Sequence, residues 1–367
     1  MKGRVFILAL NPPETPGGVE HFVRELSGCL EAKGYSVELF HWRNSLPLWV
    51  ARLPGKIGRK ISNSLQGWFI GRRVEAQLGR DVVAVISNSN VGYYPLRRYS
   101  DHLKLIHVYH GTYRGQAQAI RPFISYLGYL YLTWWDSMVL ERLSGRGKTV
   151  LCCSDPVRDE VANFFGYQGA TSWYPIDLDR FRPHDQTECR RVLGTPEGTP
   201  VGLFVGNLSP MKNFPMVRAL IDAFPQVQWV LALRGEVPQD LSERPGLKIF
   251  QNATPDQLPL LYSAATFSLC PSRYDPFPYV VPESLACGTP VIAAPHGSSR
   301  FFLTDPPLDR LLLPDADAKE AFIAAIREVL NDPETYRQAV FEQVRPKLVE
   351  TMAPENWWRR FCEVTGL

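Results

Sequence analysis

Two carboxylates eight residues apart, Asp275 and Glu283, lie in the segment Pro271-Ser-Arg-Tyr-Asp-Pro-Phe-Pro-Tyr-Val-Val-Pro-Glu-Ser-Leu-Ala-Cys-Gly-Thr-Pro-Val291. An apolar run precedes it, so Asp275 falls in a loop after a strand. Pro282 suits the first position of a short helix, and Gly288 suits its end. That spacing aims both carboxylates into one space, where they would accept hydrogen bonds from sugar or ribose hydroxyls. The loop N–H groups of Phe277, Tyr279, Val280 and Val281 face the same space. Glu283 is equally readable as a favourable charge at a helix N-terminus.

Three further places carry chemistry. Val201-Gly-Leu-Phe-Val-Gly206-Asn207-Leu-Ser-Pro-Met-Lys212 reads as a strand and a loop before a helix. Lys212 can point back over the strand end and neutralise a phosphate, or it is a solvated cation at a mildly unfavourable helix end. Gly17-Gly18 follow the first strand and open a helix, where bare N–H groups and the helix dipole favour an anion. An ordinary tight turn has the same sequence. His110, in Val108-Tyr-His-Gly-Thr112, ends another strand and is also readable as a polar loop residue. His107 should face the opposite way, which argues against a metal pair. Asp177-Leu-Asp179 sits at a hinge and Asp315-Ala-Asp317 suits a helix start, so neither reads as a metal-binding pair, and no metal or other cofactor is expected.

The elements that must position these residues alternate along the chain. Strands are expected at 4–10, 35–40, 82–87, 104–109, 149–153 and 170–174, then at 201–206, 228–234, 247–250, 266–270, 290–294 and 310–313. Helices are expected at 18–33, 119–143, 155–165, 213–223, 255–263, 282–287 and 316–330. Continuous Val/Ile/Leu strands joined through helices indicate parallel sheets covered on both faces. Two such series give two Rossmann-like domains, with a junction at Trp173 to Pro183 where Pro and Asp break the pattern. Ligands of such sheets sit beyond the strands' carboxyl ends. There is no Walker A sequence and no Gly-x-Gly-x-x-Gly after the first strand, which argues against ATP and NAD.

The chain has 367 residues and a net charge of +3, too little for a dedicated nucleic-acid binder, and 45% apolar content excludes a disordered polymer. Seven cysteines without Cys-x-x-Cys spacing read as free thiols in a reducing compartment. Lys2 and Arg4 precede only six apolar residues, which reads as a first strand rather than a signal peptide. The small net charge hides a division. Residues 42–80 hold eight Lys/Arg (43, 52, 56, 59, 60, 72, 73, 80) against Glu75, a local +7 that leaves −4 for the rest. Trp42, Trp49 and Trp68 are interleaved there, so the stretch fits either an anionic membrane surface or a solvated helix face. Phe123 to Leu140 is long and aromatic, and reads as a core helix or one lining an acceptor.

Taken together, these segments resemble the retaining GT-B glycosyltransferases of family 4, in the right order over nearly the whole chain. The shared features are the carboxylate-x7-carboxylate segment with its trailing Ala-Cys-Gly-Thr-Pro-Val, Gly17-Gly18, Gly206 through Lys212, Ser154-Asp-Pro-Val-Arg-Asp159 and the hinge Asp177 to Pro183. The resemblance implies an acceptor domain at 1–176, a nucleotide-sugar domain at 177–353 and a last helix at 354–367 packing back on the first domain, with a cleft between the domains. It implies that Gly17, Gly18, Gly206 and Lys212 meet the donor diphosphate, Glu283 the ribose, and Asp275 and His110 the transferred sugar. A hexose would pass from a nucleotide-diphosphate sugar, expected to be UDP-linked, to a glycan or lipid-linked acceptor during polysaccharide or glycolipid assembly. The expected place is the cytoplasm, peripherally on the inner face of the membrane through 42–80. Configuration would be retained, with the leaving phosphate taking the acceptor proton and no protein nucleophile. Three departures stand out: Asn207 replaces the usual Arg, Asp275 the usual Glu, and Pro278 a glycine whose N–H faces the donor. Asn207 and Pro278 favour, as the rival reading, a non-catalytic sugar-nucleotide-binding or scaffold protein with the same fold.

Overall fold

A computed structural model describes residues 2–99, 101–196, 198–244 and 246–367, without the side chains of Lys56 and Ile57. The chain forms two compact units, Met1–Pro175 with Pro354–Leu367, and Ile176–Ala353.

The first unit is built on six parallel strands: β1 (Arg4–Leu8), β2 (Ser36–Phe40), β3 (Val82–Asn88), β4 (Lys104–Tyr109), β5 (Thr149–Cys152) and β6 (Ala170–Thr171). Their order is β2-β1-β3-β4-β5-β6. Val5 to Leu8 and Val85 to Ile86 are buried on both sides, as expected where helices cover both faces. The order reverses between β1 and β3, so the loops after these two strands open at the sheet's switch point. The final helix, Pro354–Thr365, belongs to this unit, with Trp357 buried edge-on to Phe22 at 6.3 Å between centroids. Lys33 bonds Glu355 at 2.8 Å beside it.

The second unit has five parallel strands, β7 (Val201–Gly206), β8 (Gln228–Leu233), β9 (Leu247–Gln251), β10 (Phe267–Cys270) and β11 (Val291–Ala293), in the order β11-β10-β7-β8-β9. Here the order reverses between β7 and β10. The loops after those strands carry Lys212 and Asp275, so the topology itself brings the two together.

Several expected elements are corrected. No strand forms over 310–313. Leu308–Leu311 is a tight 3-10 turn, and only Leu312 bridges to Ala293. The helix expected over 119–143 is broken: one helix runs Tyr113–Ala119, Pro122 interrupts it, and Ser125 caps a new one by accepting from the Gly128 N–H at 3.1 Å. Its middle, Tyr131–Glu141, widens to a π-helix. The short helix after the Asp275 loop starts at Val280, so Pro282 stands third rather than first. Proline is tolerated there because the first four N–H groups have no partner within the helix. The basic stretch 42–80 folds mainly as the helix Gly55–Glu75, with Ser62, Gln66, Ile70 and Val74 buried along one stripe.

Candidate active site

In the second unit, β7 ends at Gly206 and the chain turns through Asn207, whose side-chain oxygen accepts from the Ser209 N–H at 3.1 Å. Pro210–Lys212 then forms one 3-10 turn before the helix Phe214–Ala223. The Lys212 ammonium donates to the Asp275 carboxylate across the switch point. Burial works against the ammonium, but the charge of Asp275 and its hydrogen bond outweigh that and hold the amine above the ordinary lysine range. Arg273 ties the two loops together. Its backbone N–H donates to Met211 O at 2.7 Å, and its guanidinium donates to Pro210 O at 3.1 Å and to both Asp317 oxygens.

Glu283 lies in the first turn of the helix Val280–Ala286 and is only 8% exposed. The Tyr262 hydroxyl donates to its Oε2 at 2.8 Å. Burial pushes the Glu283 carboxyl up to about 7, against the pull of that hydrogen bond and of the charges of Arg234 and Lys212. Burial and the adjacent carboxylate in turn push the Tyr262 phenol well above its ordinary value. Among the loop donors, the Val281 N–H is taken by Pro278 O at 3.1 Å, so it does not face the site. Val280 opens the helix, where its N–H has no acceptor within that helix. The Phe277 ring is buried edge-on to Tyr279 at 5.1 Å, anchoring the loop. Gly297, at φ +41°, lies so close that a Cβ would collide with the Pro276 carbonyl.

In the first unit, Gly17 caps the helix Gly18–Ala32 with extended backbone. The buried Glu20 carboxylate folds back over it, so that a Cβ at position 17 would fall on a carboxylate oxygen. Asn11 Nδ2 holds that carboxylate by donating to Oε1 at 2.8 Å. His110, just after β4, is fixed on both sides: its Nδ1 pairs with the Tyr174 hydroxyl and its Nε2 with Asn88 Oδ1 at 2.8 Å. An amide oxygen only accepts, so Nε2 carries the proton and Nδ1 accepts from Tyr174. Burial pulls the imidazole down to about 3, which keeps it neutral. His107 points elsewhere, to Ser87 Oγ at 2.9 Å.

The structure thus assembles Lys212, Asp275, Glu283 and Gly206 at one sheet edge of the second unit, and Gly17, Gly18 and His110 at one sheet edge of the first. Sequence reasoning missed Tyr262, Asn88 and Tyr174, which come from distant segments, and Arg273 and Glu20, which stand beside residues it named. Asp177 accepts from the backbone N–H groups of Asp179 and Arg180, and Asp317 is engaged by Arg273, so both Asp-x-Asp pairs are occupied by the fold. Among the described residues no group of three or more His, Cys, Asp or Glu is placed to hold a metal ion.

Comparison with known proteins identifies the family and the fold. Residues 16–180 match the model of Glycosyltransferase Family 4, and residues 185–342 match that of Glycosyl transferases group 1. A D-inositol 3-phosphate glycosyltransferase of Geodermatophilus obscurus is 36% identical over 176 residues, a match covering 42% of this chain but only 38% of that protein's length. One from Kribbella flavida is 26% identical over 87% of this chain and 84% of its own. Among solved structures, Anabaena HepE in complex with UDP and glucose superposes with a TM-score of 0.70 at 16% identity, covering 99% of both chains. Both sheets, both family models and their order along the chain lead to one conclusion: the chain belongs to the GT-B-fold glycosyltransferases of the family 4, group 1 type.

Proposed function

We propose that the protein is a retaining, metal-independent hexosyltransferase that uses a UDP-sugar. The observation that carries this reading is the grouping of a buried carboxyl, Glu283, with the Lys212–Asp275 pair at the switch point of the second sheet. Glu283 accepts the ribose hydroxyls. Lys212 and the N–H groups of the Gly206 turn and of Tyr279–Val280 meet the diphosphate, preorganised for the charge that grows as the sugar–phosphate bond breaks. The electron pair of that bond leaves with the diphosphate, the acceptor oxygen attacks the same face of the sugar, and its proton passes to the released phosphate. Asp275 borders the sugar; His110 stays neutral in the first unit, with both ring nitrogens taken by Tyr174 and Asn88. UDP as the nucleotide draws support from the HepE complex.

For the acceptor we propose a lipid-linked or glycan substrate met at an anionic membrane surface during cell-surface polysaccharide or glycolipid assembly. In the first unit, Trp49 and Leu127 are 67% and 75% exposed. The helices bearing Trp68 and Trp134 are joined side by side, with Trp135 Nε1 donating to Ser64 Oγ at 2.8 Å. Arg59, Arg72 and Arg73 are exposed on the same stretch, and each Lys/Arg near such a surface contributes about 1 kcal/mol. Among the described residues no helix is long and apolar enough to cross a membrane. Incubation with labelled UDP- and GDP-sugars tests the chemistry: transfer or hydrolysis with a UDP-sugar, lost in Glu283→Ala and Lys212→Ala, is expected. Binding of UDP-sugars without any turnover would instead favour a sugar-nucleotide-binding role. Co-sedimentation with anionic vesicles at low salt tests the surface, and no binding there would sink it.

A further inference from the structure

A diphosphate gains negative charge as it leaves, yet the second unit presents little net positive charge to it. Lys212 is already paired with Asp275, and Glu283 adds a second acid. Asn207, at the end of β7, is neutral and uses its side-chain oxygen to hold the Ser209 turn. Among the described residues, a nearby cation, Arg234, makes no ion pair. Arg234 directly follows β8, the strand paired with β7 in register Gly206 to Leu233, and its backbone N–H donates to Gly206 O at 2.8 Å. It therefore emerges beside Gly206 and Asn207 at the same sheet edge. Its side chain is exposed and has no carboxylate within ion-pair distance among the described residues, whereas Arg218, Arg244 and Arg273 of the same unit each have one.

The turn that carries Arg234 is built rather than loose. The Asn252 N–H donates to Leu233 O at 2.7 Å, Gln251 Nε2 donates to Gly235 O at 2.9 Å, and the Gly235 N–H donates to Asn252 Oδ1 at 3.1 Å. The guanidinium's field reaches both functional groups, acting to lower the Glu283 carboxyl and the Lys212 amine. We infer that Arg234 is a diphosphate-binding residue that meets the phosphate oxygens of the donor from β8, beside Lys212. Two oxygens of one phosphate, or one from each, match the guanidinium fork. This rests on the donor-site reading above. The sugar C1–O bond breaks onto the diphosphate, the new bond forms to the acceptor oxygen, and the acceptor's proton passes to the released phosphate.

The test is calorimetric titration of the full chain with UDP and with uridine, which lacks the phosphates, alongside donor kinetics. Arg234→Gln should weaken UDP at least about 10-fold and leave uridine within about twofold, because a charge-assisted bond is lost only at the phosphates. Its kcat/KM for the donor should fall about 10- to 100-fold. Arg234→Lys should retain part of the affinity, and adding Asn207→Arg to Arg234→Gln should restore part by returning a cation to the adjacent strand end. UDP binding unchanged in a folded Arg234→Gln, with wild-type protein binding UDP, overturns the role of Arg234 alone. Wild-type protein that binds neither UDP nor uridine overturns the donor site and this inference with it. Equal losses for UDP and uridine would mark Arg234 as merely holding the turn and overturn the inference as well.

Discussion

Burial moves Glu283 and His110 in opposite directions, the carboxyl up and the imidazole down. The Glu283 carboxyl is raised from 4.5 to about 7, first by burial. Between those values the native state holds a proton that the unfolded chain has released, so stability falls as pH rises through this window. The penalty is complete above about pH 7 and amounts to about 3 kcal/mol. Glu283→Gln keeps an acceptor for the Tyr262 hydroxyl and removes the titration. Its unfolding free energy relative to wild type should therefore climb between pH 4.5 and 8, by up to about 3 kcal/mol. Urea unfolding across that range measures it, and a difference independent of pH would contradict a raised carboxyl. His110 behaves otherwise. With Nδ1 receiving from Tyr174 and its pKa near 3, it contributes no step to a pH–rate profile between 5 and 8. Tyr174→Phe leaves Nδ1 unsatisfied, and kcat should fall about 3- to 10-fold, as for one lost hydrogen bond, with little change in donor KM.

The loop after β10 shows how far an element depends on contacts from elsewhere in the chain. Arg273 binds it to the Pro210 turn, and Gly297 lets the following helix approach the Pro276 carbonyl. Gly297→Ala adds a collision at a left-handed position. It should cost about 1–2 kcal/mol of stability and weaken UDP binding, read by thermal unfolding with and without UDP. Binding unchanged despite the stability loss would show that the loop's position does not matter to the donor. The sequence made the parallel strands plain because runs such as Val5-Phe-Ile-Leu8 are buried on both faces and so carry no alternating pattern to confuse with anything else. Asp275 and Lys212 were legible for a related reason: each lies in the loop just after such a strand, whereas Glu283 reads from the first turn of the short helix that follows. Their partners were not. Tyr262 stands 21 residues from Glu283 and Tyr174 stands 64 from His110, separations that only the sheet order brings together. The strand expected at 310–313 failed because apolar content alone does not distinguish a strand from a buried tight turn. The helix expected over 119–143 failed because the apolar pattern runs across Pro122 while the backbone cannot.

Across the whole molecule, the last twelve helical residues serve the unit in which the chain began rather than the one they follow. The stacked pair Trp357 and Phe361 is buried there, Trp357 meets Phe22, and Phe22 lies edge-on to the His110 ring at 5.1 Å. The helix that begins at Gly18 is thus backed on one side by the C-terminal helix, and on another it supports the imidazole. Trp357→Ala removes one of the largest buried side chains and should cost about 3–5 kcal/mol. Because the two units have separate cores, that cost falls on the first unit only. If UDP binds the second unit as proposed, it should raise one thermal transition by mass action and leave the other unmoved. In Trp357→Ala the transition insensitive to UDP should drop, while the UDP-stabilised one stays at its wild-type temperature. Transfer activity should fall even where UDP affinity does not, since the imidazole loses its backing and the nucleotide does not. If both transitions dropped together, the C-terminal helix would support the second unit as well, and the division of the chain into two separately stabilised units would be wrong.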